Sequence, residues 1–541
     1  MSADGFKCNL KGYQQPNYLE DVQNRIESDQ TLENFFKDHQ GQYEEFKNYL
    51  KRKIFNDLDE FQQHLDNIQN QWDSQFKVEL KRIEVFRLIM AMYLGLLERN
   101  LSKGGFYIVN MNTIKNSNNY ISKQKLMCFK NYIKAFYLNS DKIQEEKIVF
   151  TKNSVSKEDF RKKFEQSTYQ KIDFEFTQSK NEDHLNSTVV DFADENIGGL
   201  VLDARNCAQE EIVMLIFAEA TVCMVFIPPM KETEAVLIEN LKKYSNYTGY
   251  EQSFQCSPSL DLKGSYNMLA IDAKPFYTEN QFTEENIYRE LIKSYAGFEI
   301  SLKNAPNSYI STGRWGCGIF RGNPYLKALI QFVSFAIAVN QLNLKDKKII
   351  MNCVNDQSFF NFGMKLNKLL QEKEMQLNLI NLKKSLLYMQ NEVSDTKFQY
   401  QGNNIISQIY QILIQNIQQA VEIQQENDDL NQPSEAQDIR SENDNLIQPL
   451  VGQDINQEKL INTQNIEGNK ESQFKSNAQI IEEKQEMQIQ NEAQIDQEKK
   501  ESENLSIESN KNKNWVGIAT ILLACGCGCF VGIIVYKKVF K

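Results

Sequence analysis

The spacing of apolar and polar positions divides the chain into four textures. From Tyr43 to Asn100 apolar residues recur at helical intervals. Leu80, Ile83, Phe86, Leu88, Ile89, Met92, Leu94 and Leu97 crowd one broad face before the break at Lys103-Gly104-Gly105. The pattern predicts a further helix over Lys123–Phe136 and a strand at Lys147–Thr151. The first third therefore reads as a mostly helical domain, preceded by a polar, irregular segment over residues 1–45. From about Thr188 short β-branched runs alternate with helical patterns. They predict strands at Leu200–Leu202, Ala235–Ile238, Met268–Ile271 and Lys348–Cys353, and helices at Gln209–Ala218, Glu284–Tyr295, Pro324–Asn340 and Ser358–Gln371. Such alternation implies an α/β sheet covered by helices, closed by two more helices at Asn378–Met389 and Asn404–Gln419.

The third texture, residues 426–510, is rich in Gln, Asn, Glu and Ile, with weak repetition (Glu435-Ala-Gln-Asp-Ile, Val451-Gly-Gln-Asp-Ile). Few aromatics and many charges leave too little apolar surface to offset ordering, which implies a disordered spacer, with transient coiled-coil pairing as the alternative. The fourth is the uncharged run Trp515–Tyr536, 22 residues long. As a helix it spans roughly 33 Å, about a bilayer core. Lys511 and Lys513 precede it, Lys537, Lys538 and Lys541 follow it, and Trp515 and Tyr536 stand where interfacial aromatics belong. A transmembrane helix is expected, acting as a single-pass C-terminal anchor on an intracellular membrane with the folded part facing the cytosol. Gly528 and Gly532 form a GxxxG that permits weak helix–helix self-association.

Charge sharpens this division. The net charge is −11, yet residues 426–510 alone carry 20 acidic and 7 basic side chains, leaving +2 for the rest. The acidity belongs to the spacer and says nothing about the ligand of the folded part. Ten cysteines without a CxxC pair exclude a disulfide framework or zinc ribbon, and residues 1–30 are too polar for a signal peptide. With histidines only at positions 39, 64 and 184, acid–base chemistry beyond Leu185 falls to carboxylates, Cys, Lys or Tyr. A Ser-His-Asp triad or a His-rich metal site does not fit.

Two stretches carry candidate chemistry. In the first, Val190-Asp191-Phe-Ala-Asp194 leads to Gly198-Gly199, and ten residues later Gln209-Glu210-Glu211 stands at a predicted helix start. A Gly-Gly turn admits a close backbone approach. Adjacent carboxylates near helix N–H groups can divide the labour of glycoside cleavage, one holding hydroxyls while the other cycles a proton. The triplet recurs at Gln144-Glu145-Glu146, flanked by lysines and without a glycine nearby, so composition alone does not mark it. The second stretch, Thr312-Gly-Arg-Trp-Gly-Cys-Gly-Ile-Phe-Arg-Gly322, is a glycine-rich loop before a helix, able to cradle a diphosphate. Tyr244-Ser-Asn-Tyr247-Thr-Gly-Tyr250 adds hydroxyls and stacking surfaces.

Taken in order, Val190–Asp194, Gly198-Gly199-Leu200 with Gln209-Glu210-Glu211, Tyr244–Tyr250, Thr312–Gly322 and Leu326–Gln331 resemble the motifs of the poly(ADP-ribose) glycohydrolase family, over about residues 50–420. The resemblance implies an α/β protein: a macrodomain-like αβα catalytic core over 186–425 and an N-terminal helical accessory domain over 46–185. The spacer at 426–510 and the membrane helix at 515–536 complete the expected organisation. It implies hydrolysis of ribose–ribose O-glycosidic bonds in poly(ADP-ribose), with no cofactor and no metal. The expected partners are the polymer, poly(ADP-ribosyl)ated proteins and the lipid bilayer, and no direct DNA binding. An anchored binding module with weak or no catalysis is the alternative.

By position, the resemblance makes Glu211 the acid that protonates the leaving oxygen and then activates water. It makes Glu210 the carboxylate that holds ribose hydroxyls, Asp191 an acid beside the site and Gln209 a support for the loop. Gly198, Gly199, Trp315, Gly316, Cys317 and Gly318 would line the diphosphate, and Tyr247 and Phe320 would contact the terminal ADP-ribose. Leu200 stands where the family has a third glycine, Asp194 and Arg314 where it has Asn, and Arg321 where it has Gly. Val354 falls near an expected adenine-stacking aromatic. Asp194 adds charge beside an anionic ligand, and Arg314 or Arg321 is expected to pair with the diphosphate.

Overall fold

The computed structural model describes residues 7–372, apart from 14, 16, 37–39, 101–108, 168–171, 206, 260, 261, 263 and 306–308, together with Lys383 and Leu386. Residues 515–536, the spacer 426–510, the helix expected at 404–419 and all but two residues of that at 378–389 lie outside this set. Among the described residues no helix is long and apolar enough to cross a membrane.

Among the described residues twelve strands are present: β1 Lys7–Leu10, β2 Lys77–Lys81, β3 Leu97–Asn100, β4 Lys147–Ser154, β5 Asp173–Thr177, β6 Ser187–Ala193, β7 Glu234–Leu241, β8 Ser245–Thr248, β9 Gln255–Pro258, β10 Tyr266–Asp272, β11 Tyr309–Gly313 and β12 Lys348–Asn352. Eight of them form one sheet in the order β2-β4-β7-β10-β6-β11-β12-β5. The run from β10 through β6, β11 and β12 to β5 is parallel, and β7, β4 and β2 continue it antiparallel. Because successive side chains of a strand point to opposite faces, Met268 and Ala270 enter one apolar core while Leu269 and Ile271 enter the other. β7 divides likewise, Val236 and Ile238 against Ala235 and Leu237. Helices Leu58–Gln75, Arg82–Tyr93 and Tyr120–Ile143 contribute to the first core, and Glu284–Asn304 and Pro324–Gln341 to the second. The result is a helix–sheet–helix sandwich.

Local chemistry explains where the long helices begin. Thr283 caps Glu284–Asn304 through the Asn286 amide. Asn323 caps Pro324–Gln341 by accepting the Tyr325 and Leu326 amides, each at 3.0 Å, with Pro324 in the first turn where no N–H is needed.

Several sequence expectations are corrected. The described part of residues 1–45 is not irregular: it carries β1 and helices Tyr18–Ser28 and Gln30–Phe35, which bury Val22, Ile26 and Leu32. The helical stretch from Tyr43 is interrupted by β2, whose Lys-Val-Glu-Leu-Lys alternates exposed and buried side chains. Leu200–Leu202 is a turn rather than a strand, because Gly198 and Gly199 take φ values of 104° and 43° and fold the chain back on itself. The sheet also draws β2, β4 and β5 from the segment before the boundary placed at residue 185.

Candidate active site

The site lies beyond the carboxyl ends of the parallel strands β6, β11 and β12, where open α/β sheets leave a crevice. A cavity of about 1450 Å³ is lined there by the turn after β6, the start of helix Gln209–Ile216, the glycine loop after β11 and the residues after β12.

Helix Gln209–Ile216 begins without a capping side chain at Ala208, so its first turn depends on its own acidic residues. Glu211 reaches back to accept the Ala208 N–H at 2.8 Å through Oε2, while Oε1 accepts the Leu200 N–H at 2.9 Å. Glu210 accepts the Gly198 N–H at 2.7 Å and the Asp194 N–H at 3.0 Å. Gln209 completes the attachment: Oε1 accepts the Phe192 N–H at 2.8 Å and Nε2 donates to the Val190 carbonyl at 3.0 Å, stitching the helix to β6. The glycine turn and the carboxylate pair thus hold each other. A Cβ on Gly199 would stand 2.4 Å from Glu210 Oε2 and 2.9 Å from Glu211 Oε1, so only glycine fits.

Beneath the pair, Asp191 is fully buried in β6, and neither of its carboxyl oxygens finds a hydrogen-bond donor among the described residues. Burial, reinforced by the Glu211 charge, holds the Asp191 carboxyl well above the usual carboxylate range. Burial followed by the charges of Asp191 and Glu211 does the same to Glu210, against the pull of the Asp194 and Gly198 amides.

The glycine loop is built for close approach. Gly316 has φ 70°, and a Cβ there would meet the Ala273 Cβ at 2.5 Å; nothing lies within 4 Å of where a Cβ on Gly318 would stand. Gly316, Cys317, Gly318 and Phe320 line the cavity, and burial pushes the Cys317 thiol up. Tyr247 also lines the cavity, with the Lys180 ammonium 3.7 Å from its ring centroid; burial and neighbouring Glu182 push its hydroxyl up. Asp194 also faces the cavity and turns Oδ1 to the Asn196 amide at 2.9 Å.

Two expected site residues stand elsewhere. Trp315 points into the core, fully buried, donating to the Ile271 carbonyl at 3.0 Å with the Lys327 ammonium over its ring at 3.9 Å. Gly198 is not at the cavity wall; it faces Met224 and serves as an amide donor to Glu210. The two arginines are placed differently. Arg321 is not at the cavity wall and places its guanidinium 5.6 Å from the Tyr277 ring centroid. Arg314 lines the cavity but is engaged by Asp356 at 2.8 Å.

One residue with a clear part escaped the sequence reading. Lys125, wholly buried on helix Tyr120–Ile143, donates to the Leu200 carbonyl at 2.7 Å and the Asp203 carbonyl at 2.9 Å, clamping the glycine turn from outside. Burial holds its ammonium below the ordinary lysine value. The available signal was its place between Ile121 and Phe129 on the inward stripe of the helix, where a lysine needs a buried acceptor.

Comparison with known proteins bears on this geometry. Residues 161–357 match the family model described as poly(ADP-ribose) glycohydrolase (PARG), macro domain fold. A probable poly(ADP-ribose) glycohydrolase 2 of Arabidopsis thaliana is 30% identical, over 27% of this chain and 37% of its own length. Poly(ADP-ribose) glycohydrolase 1 of Caenorhabditis elegans is 34% identical, over 30% of this chain and 23% of its own. The chain thus spans less than half the length of the curated relatives it matches. Among solved structures, a Deinococcus radiodurans poly(ADP-ribose) glycohydrolase in complex with ADP-ribose aligns with TM-score 0.30 and 13% identity, over 40% of this chain and 95% of that one. The sandwich is a macrodomain-like α/β fold, and residues 161–357 of this chain are similar to the poly(ADP-ribose) glycohydrolase family.

Proposed function

We propose that the chain hydrolyses ribose–ribose O-glycosidic bonds in poly(ADP-ribose) and releases ADP-ribose. The observation that carries this reading is the carboxylate pair Glu210–Glu211, both members pinned by backbone amides at the wall of a large cavity, above a third buried carboxyl. Glu211 donates its proton to the ribose oxygen that leaves as the C1–O bond breaks. The ring gains oxocarbenium character, and the same carboxylate, now ionised, takes a proton from the attacking water. One water is consumed, one hemiacetal and one alcohol form, and Glu211 ends protonated as it began. Glu210 orients the ribose hydroxyls, and the amides around Gly316–Gly318 receive the diphosphate. Burial and the charges of Asp191 and Glu211 hold the Glu210 carboxyl above the usual carboxylate range.

A second reading, a binding module with little turnover, has one specific observation in its favour. All four oxygens of Glu210 and Glu211 already accept backbone N–H groups, as purely structural carboxylates would. The two readings part in one experiment, in which the full chain is mixed with purified polymer and both retention of polymer and release of free ADP-ribose are measured. Release supports hydrolysis; retention without release supports the module.

We also place residues 515–536 in an intracellular bilayer, with residues 1–425 on the cytosolic side and the spacer as a tether. The support is the uncharged run with its lysine flanks and interfacial aromatics. Extraction of the expressed full chain with alkaline carbonate tests it: the protein stays with the membrane, and its release would refute the anchor.

A further inference from the structure

The ends of β6, β11 and β12 stand side by side in the sheet, and each contributes one part of the cavity wall. After β6 come the glycine turn and Asp194, in contact with the carboxylate pair; after β11 comes the glycine loop; after β12 come Val354 and Asn355. Neighbouring strands are about 4.8 Å apart, so these three parts follow one another over roughly 10 Å. A nucleoside diphosphate sugar lying across them, with its sugar at the carboxylates and its diphosphate on the glycine loop, brings its base to the β12 end. This step rests on the hydrolase reading above.

At that end the wall offers a guanidinium. Arg314 leaves the tip of β11, lines the cavity and is 41% exposed along its side chain. Both arms of its fork are engaged: Nη1 donates to Asp356 Oδ2 at 2.8 Å, and Nη2 to the Val354 carbonyl at 3.4 Å. Asp356 is itself immobilised. Its Oδ1 accepts the Phe359 amide at 2.9 Å as the cap of helix Gln357–Glu372, and its own amide bonds the Cys353 carbonyl at 2.8 Å. The arginine is therefore fastened to the junction of β12 and the following helix, with its charge matched by a carboxylate. An arginine meant to grip a diphosphate would keep its donor fork open to the ligand. One whose fork is turned to an internal carboxylate presents its flat face instead, and guanidinium planes stack well on nucleobases.

We propose that Arg314 is the platform on which the adenine of the terminal ADP-ribose stacks, and that Asp356 is the positioning residue that fixes its plane. Val354 then needs no aromatic ring, because the stacking surface is supplied from the neighbouring strand.

The test is calorimetric titration of the full chain with two probes, ADP-ribose and inorganic pyrophosphate, the second lacking a base. Arg314→Ala weakens ADP-ribose on the order of tenfold, the usual loss for one stacked base, and leaves pyrophosphate within about twofold. Arg314→Lys, which keeps the charge and loses the plane, behaves like Arg314→Ala. Asp356→Asn, which retains a helix cap, weakens ADP-ribose by about two- to fivefold as the guanidinium loosens, in keeping with a single positioning hydrogen bond, and does not improve pyrophosphate. Full affinity in Arg314→Lys, or a gain for both probes in Asp356→Asn, would show a phosphate-reading cation and overturn the proposal. Binding of ADP-ribose that ignores every Arg314 substitution would overturn it as well while leaving the hydrolase reading intact. If the unsubstituted chain fails to bind ADP-ribose, both fall together.

Discussion

The same triplet occurs twice in this chain and comes to opposite ends. Gln144-Glu145-Glu146 closes helix Tyr120–Ile143, and Gln209-Glu210-Glu211 opens helix Gln209–Ile216. At the first, orphan carbonyls face the triplet and the acids turn to cations: Glu145 pairs with Lys81 at 2.7 Å, and Glu146 with Arg82 at 3.0 Å and Lys242 at 3.3 Å. At the second, amide N–H groups face the triplet, and both acids are buried on four of them. Glu145 is 67% exposed along its side chain, whereas Glu210 and Glu211 are 7% and 5% exposed. Helix polarity and a glycine turn, not residue identity, separate a solvated ion pair from a buried carboxyl cluster.

The comparison can be broken most directly at the acids. Glu211→Gln is expected to lower ADP-ribose release by about 10²–10⁴-fold with polymer affinity within a few-fold, the usual loss for one proton-transfer group. Parallel turnover and binding measurements check this, and comparable loss from Glu145→Gln would erase the distinction. Next in size is the turn. Gly199→Ala drives a Cβ into both carboxylates, so activity falls by at least tenfold and stability by about 1–3 kcal/mol, read from denaturant midpoints. Lys125→Met releases the outside clamp on Leu200 and Asp203 while filling the same volume. It should cost about 1–3 kcal/mol of local order in the turn, visible as faster amide exchange at residues 198–203 and a fall in turnover larger than the fall in global stability.

A subtler expectation concerns pH. The folded-state pKa of Asp191 lies above its unfolded value, so the folded protein binds the extra proton. Its favourable contribution is complete below the unfolded pKa and is lost as pH rises toward the folded one. Asp191→Asn removes that loss. Its melting temperature relative to the unsubstituted chain should therefore climb between pH 5 and pH 8, by a few degrees at most. A flat difference would mean that Asp191 is ionised in the folded state. Smallest of all is Glu145→Gln, which breaks a single exposed pair with Lys81 and should move stability by less than about 0.5 kcal/mol.

What the sequence disclosed depended on how local each signal was. β10, β12 and the helices starting at Glu284 and Pro324 were legible because apolar period and caps agree over short stretches. β2 was hidden because Leu80 fits both a helical stripe and a strand that alternates, and only pairing with β4 decides between them. β6 and β11 mix Ser, Thr and Asp into buried positions and so lack a clean alternation. Residues 1–45 look polar in bulk, yet Val22 and Ile26 lie one turn apart on a helix that reaches the core. At the site, the glycine turn and the carboxylate pair were marked by their spacing and by the family motifs they resemble. Side-chain direction was not: Trp315 turns inward to Ile271, and Arg314 meets a carboxylate 42 positions away. Nothing near position 200 signals that its carbonyl is held by Lys125, 75 positions earlier.

Multiple-turnover release of ADP-ribose is the direct measure of whether Glu211 acts as an acid and base within the buried pair. The full chain and its Glu211→Gln variant are mixed with an excess of purified poly(ADP-ribose), and free ADP-ribose is counted per protein molecule against time, with polymer binding measured on the same samples. Many products per molecule are expected for the unsubstituted chain, and almost none for the variant at nearly equal binding. Equal release by both proteins, or tight binding with no release by either, would contradict that role of Glu211.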